Sequence, residues 1–271
     1  MRAKIDGLEL EYDVRGSGPD LVWLHGLGGN LEDSRPVAES LAKHFRVLSY
    51  STRGCGHSTP LLDPTRYGYD RIAADLDEMI DVAGFTSPLL VGGSHGANTI
   101  LRHTAEFPGR SRAIMLIAPG ANALEKPGAI KFFLAIRTPL WLARRKGPDG
   151  IVRLFAGADP KSPKADPHMV ASARTHDPAS IMVAVRNIPN QRAVDPVALP
   201  KFDLPTHVVA WDKDPLIHPI AVARRIAAEI PGATFQEIQK MPDMPPTQVA
   251  GIATEVVCEW ADGVLGSRSN A

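Results

Sequence analysis

Ser94 stands in the segment Gly92-Gly93-Ser94-His95-Gly96, with a glycine two residues before it and another two residues after it. Serine at that spacing fits the nucleophile elbow G-x-S-x-G, a turn from strand to helix. The apolar run Pro88-Leu89-Leu90-Val91 before it reads as a short buried strand. After it, Ala97, Ile100, Leu101, Thr104 and Ala105 recur at helical spacing until Pro108 ends the pattern. Such a turn forces the serine backbone into strain, and side chains at the flanking glycine positions would collide with strand and helix. The strain lifts Oγ above the sheet at a helix N-terminus, whose unpaired N–H groups can meet a developing oxyanion. The chemistry indicated is attack of a hydroxyl on a carbonyl carbon. Gly-rich strand-to-helix turns also occur in proteins that do no acyl transfer, so the surrounding elements decide between the two readings.

A chain of 271 residues forms one large domain or a domain with an insertion. Lys plus Arg and Asp plus Glu are 30 each, and this balance points to neither nucleic acid nor an anionic membrane as partner. Hydrophobic residues make up 44%, enough for a sizeable core. No apolar run approaches the roughly 18 residues of a membrane span. The start, Met1-Arg2-Ala3-Lys4-Ile5-Asp6, lacks the apolar centre of a signal peptide. The expectation is therefore a cytoplasmic protein, monomer or homodimer, whose partner is a small molecule. Cys55 and Cys258 show no metal-ligand spacing and read as reduced, structural thiols; no metal site is expected.

Leu8 to Val14 alternates apolar and polar residues and runs into Gly16-Ser17-Gly18-Pro19, which reads as a half-exposed hairpin strand and its turn. Leu21-Val22-Trp23-Leu24 is a continuous apolar run, expected of a strand covered on both faces. It empties into His25-Gly26-Leu27-Gly28-Gly29-Asn30. Dinucleotide binding is the competing reading of this loop, but Leu31 stands where the third glycine of G-x-G-x-x-G belongs and no acidic residue ends the next strand. No nicotinamide, flavin or other cofactor is expected. Phe45 to Tyr50 forms the next strand, Tyr69, Ile72, Ala73, Leu76 and Ile80 mark a helix, and Ala113 to Ala118 is another buried strand. Thr206 to Trp211, a helix through Ile220, Ala223, Ile226, Ala227 and Ile230, a strand over Thr234 to Ile238 and a terminal helix complete the pattern. Alternating strand and helix calls for a parallel α/β sheet with right-handed crossovers.

His25-Gly26, Arg53-Gly54-Cys55-Gly56-His57-Ser58 and Gly92-Gly93-Ser94-His95-Gly96, in that order, resemble the α/β-hydrolase fold superfamily of lid-bearing esterases, lactonases and C–C hydrolases. The resemblance implies a core from 1–120 and 204–271 with a helical lid at 121–203. It also implies an oxyanion hole from the backbone N–H groups of Leu27 and His95, with His25 as the structural residue of the His-Gly turn beside it. His57 resembles a residue bridging the following loop, and His44, His103 and His207 read as surface or strand positions. Phe132, Phe133, Ile136, Leu140, Trp141 and Leu142 crowd one helical stretch of the lid and suggest a hydrophobic pocket, although packing onto the core accounts for most of them. Arg144-Arg145-Lys146 reads as a solvated face, and Ala165 to Pro205 as short helix broken by prolines.

The same resemblance places the orienting acid three residues after Trp211, at Asp214, with Asp212 the weaker candidate. Its general base should follow the last strand as a Gly-His pair, giving the chain order Ser, acid, His. Here Pro242-Asp243 fills that slot in Lys240-Met241-Pro242-Asp243-Met244-Pro245-Pro246, and no histidine lies beyond His218. An ordinary carboxylate, with a pKa near ~4, is a poor base for a hydroxyl.

Four readings compete. The chain is a disabled hydrolase; or Asp243 works beside Asp214, the two sharing a proton that raises one apparent pKa; or a histidine from elsewhere reaches Ser94, with His168, His176, His218 and His95 as candidates; or the fold serves binding or non-hydrolytic chemistry. The function expected is hydrolysis of a small apolar ester, lactone or ketone-type substrate by Ser94 with an atypical Asp214/Asp243 pair, or an impaired form of that enzyme. The alternative is a lyase, isomerase or ligand-binding protein on the same fold.

Overall fold

The computed structural model describes residues 1–126, 145, 148–156, 159, 161–163, 165–211, 216–238 and 246–266. Strand β1 (Arg2–Ile5) turns through Asp6 and Gly7, at φ 47° and 73°, into β2 (Leu8–Arg15). Two successive positive φ values in a two-residue connection, with Ile5 opposite Leu8, make the type I′ hairpin that Asp-Gly favours. The short β1 escaped the sequence reading, and the hairpin of β2 is made with it, not across Gly16–Pro19. After β3 (Asp20–Leu24) come α1 (Leu31–Leu41), β4 (Arg46–Tyr50), α2 (Tyr69–Val82), β5 (Leu89–Gly93), α3 (His95–Glu106) and β6 (Ala113–Ile117).

The segment that follows contains α4 (Pro148–Ala156), α5 (Pro167–Arg174) and α6 (Pro178–Asn187). The chain then returns to the sheet with β7 (Thr206–Ala210), α7 (Ile220–Glu229), β8 (Thr234–Glu237) and α8 (Pro246–Gly266). The sheet order is β1-β2-β4-β3-β5-β6-β7-β8. β2 pairs antiparallel with β1 and β4, and every pairing from β4 onward is parallel. The expected parallel α/β sheet, with its antiparallel edge, is the α/β-hydrolase architecture.

The apolar runs of β3 to β7 are long because both faces are covered. Ile72, Leu76, Ile100 and Ile226 pack against one face, and Val37, Leu41, Val257 and Ala261 against the other. Prolines open the short helices between 165 and 205 where the sequence reading had them break a helix. Asp166-Pro167 and Asp177-Pro178 each place aspartate at the N-cap and proline at the first helical position, and each carboxylate accepts a backbone N–H of the first turn. Proline there has no N–H to leave unpaired, and its fixed φ suits the helix. His103 is another correction: it is buried, stacked on Phe107 and 3.2 Å from Asp77, not a surface residue.

The segment Arg53–Ser58 is structural. Arg53, 1% exposed, makes two hydrogen bonds to Asp75 and one to the Arg66 carbonyl. This satisfies a buried charge that would otherwise be costly. Burial pushes the Cys55 thiol up to about 11, so it stays protonated and inert.

Candidate active site

The strand order reverses around β3. β4 lies on one side of it and β5 on the other, and this is where open α/β sheets form a crevice beyond the strand C-termini. Leu24 at the end of β3 is in register with Gly92 of β5, so the His25–Asn30 loop lies against the turn that carries Ser94. Ser94 has φ 53° and ψ −111°, a strained conformation for a side chain other than glycine. A Cβ on Gly92 would stand 2.7 Å from the Gly96 carbonyl carbon, and one on Gly96 would stand 2.4 Å from the Leu24 oxygen. The two glycines flanking the serine are therefore required by strand and helix, as their spacing predicts. Gly93 meets nothing within 4 Å and is under no such demand.

His218 Nε2 lies 2.8 Å from Ser94 Oγ. The sequence names His218 only among several histidines that would have to reach the serine; the fold brings it there. β7 lies next to β6, which lies next to β5, so the chain leaving β7 emerges on the edge that carries Ser94. Ile217 accepts a hydrogen bond of 2.8 Å from the Ala121 amide, and Pro219 then begins α7 as its N-cap. Proline confines the residue before it to extended backbone, so His218 is braced on both sides. Asp212, Asp214 and Asp243 lie outside the described residues, as do Phe132, Phe133, Ile136, Leu140, Trp141 and Leu142, which the sequence assigns to an expected lid.

Ser94, Leu27, His95, Tyr69, Asn122 and Ile217 are among the residues around a cavity of about 50 Å³. Among the described residues neither the Leu27 nor the His95 backbone N–H has a hydrogen-bond partner. Buried N–H groups are rarely left so; His95 is buried, and Leu27, partly buried, lines the same cavity as Ser94. His25 holds the loop's shape from beneath. Its Nδ1–H donates to the Gly26 carbonyl at 2.7 Å, and its Nε2 accepts from the Thr52 amide at 3.1 Å. Burial depresses its pKa to about 4, which matches that neutral tautomer.

The far end of the loop is tied to the segment between β6 and β7. His176 accepts from the Gly56 amide at 3.0 Å through Nδ1, and its Nε2–H donates to the Gly28 carbonyl at 2.9 Å. Asn30 caps α1 through the Asp33 amide, while its Nδ2 reaches the Ser172 carbonyl and Thr175 Oγ1. His176 is thus engaged with the loop backbone. His168 stands 4.0 Å from Glu32.

Beyond Ser94 lies a polar cluster that the sequence reading missed. Tyr69 Oη meets His95 Nδ1 at 3.1 Å, and the side-chain amides of Asn98 and Asn122 both donate to Tyr69 Oη. Asn98 sits one helical turn after Ser94 and Asn122 just past β6, a spacing that places two amides at the end of adjacent strands.

The model of the alpha/beta hydrolase fold family matches residues 19–244. A poly(3-hydroxyalkanoate) depolymerase of Ectopseudomonas oleovorans is 25% identical over 243 residues, covering 87% of this chain and 83% of the relative. Non-heme chloroperoxidase CPO-A1 of Kitasatospora aureofaciens is 27% identical over 248 residues, 85% of this chain and 87% of the relative. The crystal structure of the enol-lactonase from Burkholderia xenovorans LB400 superposes with a TM-score of 0.74 at 23% identity, over 96% of this chain and 99% of that one. With its sheet order, its strained Ser94 turn and a family match over most of its length, this chain belongs to the alpha/beta hydrolase fold family.

Proposed function

We propose that this protein hydrolyses a small, rather apolar ester or lactone through an acyl-enzyme on Ser94, with His218 as the general base. The hydrogen bond of 2.8 Å from His218 Nε2 to Ser94 Oγ carries this reading. In it, His218 takes the Oγ proton as Oγ attacks the carbonyl carbon. The carbonyl oxygen becomes an oxyanion that accepts from the unpartnered amides of Leu27 and His95. Collapse expels the alcohol, which leaves with the proton from His218. Water, deprotonated by the same imidazole, then releases the acid and restores Ser94.

Leu27, Ile188, Pro189 and Ile217 give the cavity its apolar lining, which favours an apolar acyl group. The names of the depolymerase and the enol-lactonase speak for ester-type substrates in those relatives, and we extend that class here. Residues 121–203 act as the lid in this reading, with the cores at 1–120 and 204–271. Asp214 and Asp243 remain the candidates for the carboxylate that orients His218; a His218-based dyad needs no shared proton between them. Incubation with a p-nitrophenyl ester and a fluorophosphonate tests the proposal. Turnover with the phosphonyl adduct on Ser94, both lost in Ser94→Ala, is the expected result. Tight binding of ligands without acylation of Ser94 would favour a ligand-binding or non-hydrolytic role.

A further inference from the structure

Ile188 and Pro189 reach the cavity beside Ser94 from the segment between β6 and β7. Both are buried, and they begin a single 3₁₀ turn, Ile188–Asn190. That turn is stitched to the chain leaving β6. Asn122 Nδ2 donates to the Gln191 carbonyl at 2.9 Å and to the Ile188 carbonyl at 3.3 Å. The Ala193 and Val194 amides donate to the carbonyls of Asn122 and Ala123 at 2.9 and 3.0 Å. Asn122 is itself fixed, because its Oδ1 accepts from Asn98 Nδ2 of α3 at 2.8 Å. Gln191 Nε2 adds a bond of 3.2 Å to the Tyr67 carbonyl. A wall held in this way yields only if several hydrogen bonds break together.

The lining of the cavity also tells which half of an ester meets this wall. In the acyl-enzyme mechanism the leaving oxygen takes its proton from His218, so the alcohol lies on the imidazole's side of Ser94. His218 is not among the residues lining the cavity, whereas Ser94, Leu27 and His95 are. The acyl chain is therefore the half that enters it. One water needs about 10–15 Å³ of free space, so a cavity of about 50 Å³ takes roughly three to five groups of methylene size. We infer that the Ile188 side chain is a specificity determinant that limits acyl length, and that the substrates are esters of short-chain acids, with about four carbons or fewer. This inference rests on the acylation of Ser94 with His218 as base, and names the substrate class of that site.

The test follows kcat/KM along p-nitrophenyl acetate, butyrate, hexanoate and octanoate. In the wild type, hexanoate should fall at least ~10-fold below butyrate, the lower end of what a surplus methylene costs in a closed pocket. Ile188→Ala cuts the wall back to a methyl group, and the limit should move out to hexanoate. The hexanoate-to-butyrate ratio should then rise ~10-fold or more, since each buried methylene is worth about fourfold. Ile188→Val removes only the terminal methyl, the gentler change in a packed site, and should raise the same ratio about fourfold. It decides the matter if Ile188→Ala does not fold. A series of alkyl acetates, ethyl to hexyl, varies the alcohol instead and should keep its ratios in both variants. A wild type that turns over hexanoate as well as butyrate overturns the proposal. So do acyl ratios unmoved in the folded variants, or a shift confined to the alkyl acetates. Each of these outcomes leaves hydrolysis at Ser94 standing; no turnover of any ester overturns that reading, and this inference with it.

Discussion

His218 Nε2 and Ser94 Oγ lie 2.8 Å apart, although 124 residues separate them in the chain. The pairing depends on the parallel order β5-β6-β7, which puts the exits of all three strands on one edge. His218→Gln should lower kcat for an activated ester by ~10⁴-fold or more while the far-ultraviolet circular dichroism stays that of the wild type. Fluorophosphonate labelling of Ser94 should slow in parallel. Labelling at the wild-type rate in His218→Gln would show that another base serves the serine.

Asp243→His addresses the position in which related enzymes of this fold would carry the base. With His218 already in reach of Ser94, this substitution should bring no gain in ester hydrolysis. A rise of ~10²-fold, the low end of what a positioned base supplies, would mean that His218 does not act. Asp214→Asn and Asp243→Asn separate the two carboxylates. The one that orients His218 should cost up to ~10⁴-fold in kcat through the wrong tautomer, and the other only a few-fold.

Stability should fall with acid through the buried histidines. His25 titrates at about 4 in the folded chain against 6.5 ordinarily, so between those values the unfolded chain binds the extra proton. The stability gained by keeping His25 neutral is complete above pH 6.5 and is lost as pH falls through 4. The loss is on the order of 3 kcal/mol, from 1.36 kcal/mol per pKa unit. Melting temperature measured across that range should drop in the wild type, and the slope should be shallower in His25→Asn.

Two neighbouring glycines should respond in opposite ways. Gly96→Ala puts a methyl 2.4 Å from the Leu24 oxygen and 2.9 Å from the His25 oxygen, and neither backbone group can move without shifting the elbow. It should cost about 1–3 kcal/mol or more in denaturant titration. Gly93→Ala meets open space and should change stability by less than about 0.5 kcal/mol.

The sheet was legible because its central strands are apolar on both sides, so Leu21–Leu24, Leu89–Val91 and Ala113–Ile117 stand out as runs. The elbow was legible because steric demand dictates residue type at Gly92 and Gly96. β1 was overlooked since four residues alternating with exposed positions carry little signal, although Asp6-Gly7 marked its turn. The contact of His218 with Ser94 was not legible in the same way. Its position relative to Ser94 depends on strand order, which periodicity does not encode, and it stands after β7, ahead of the last strand, where the base is not expected. The Tyr69, Asn98 and Asn122 cluster stayed hidden for a related reason: polar residues on otherwise apolar faces announce a partner without saying which one.

The bonds from His176 to the Gly28 carbonyl and from Asn30 to Ser172 and Thr175 bear on how this chain could be recombined with its relatives. A graft of the 121–203 segment from another member would deliver a new wall to the cavity, yet remove the anchors of the Gly28–Asn30 stretch. The Leu27 amide hangs from that stretch. Transplanted segments should therefore alter turnover even on substrates they never touch, unless the histidine at 176 and the residues at 172 and 175 travel with the host.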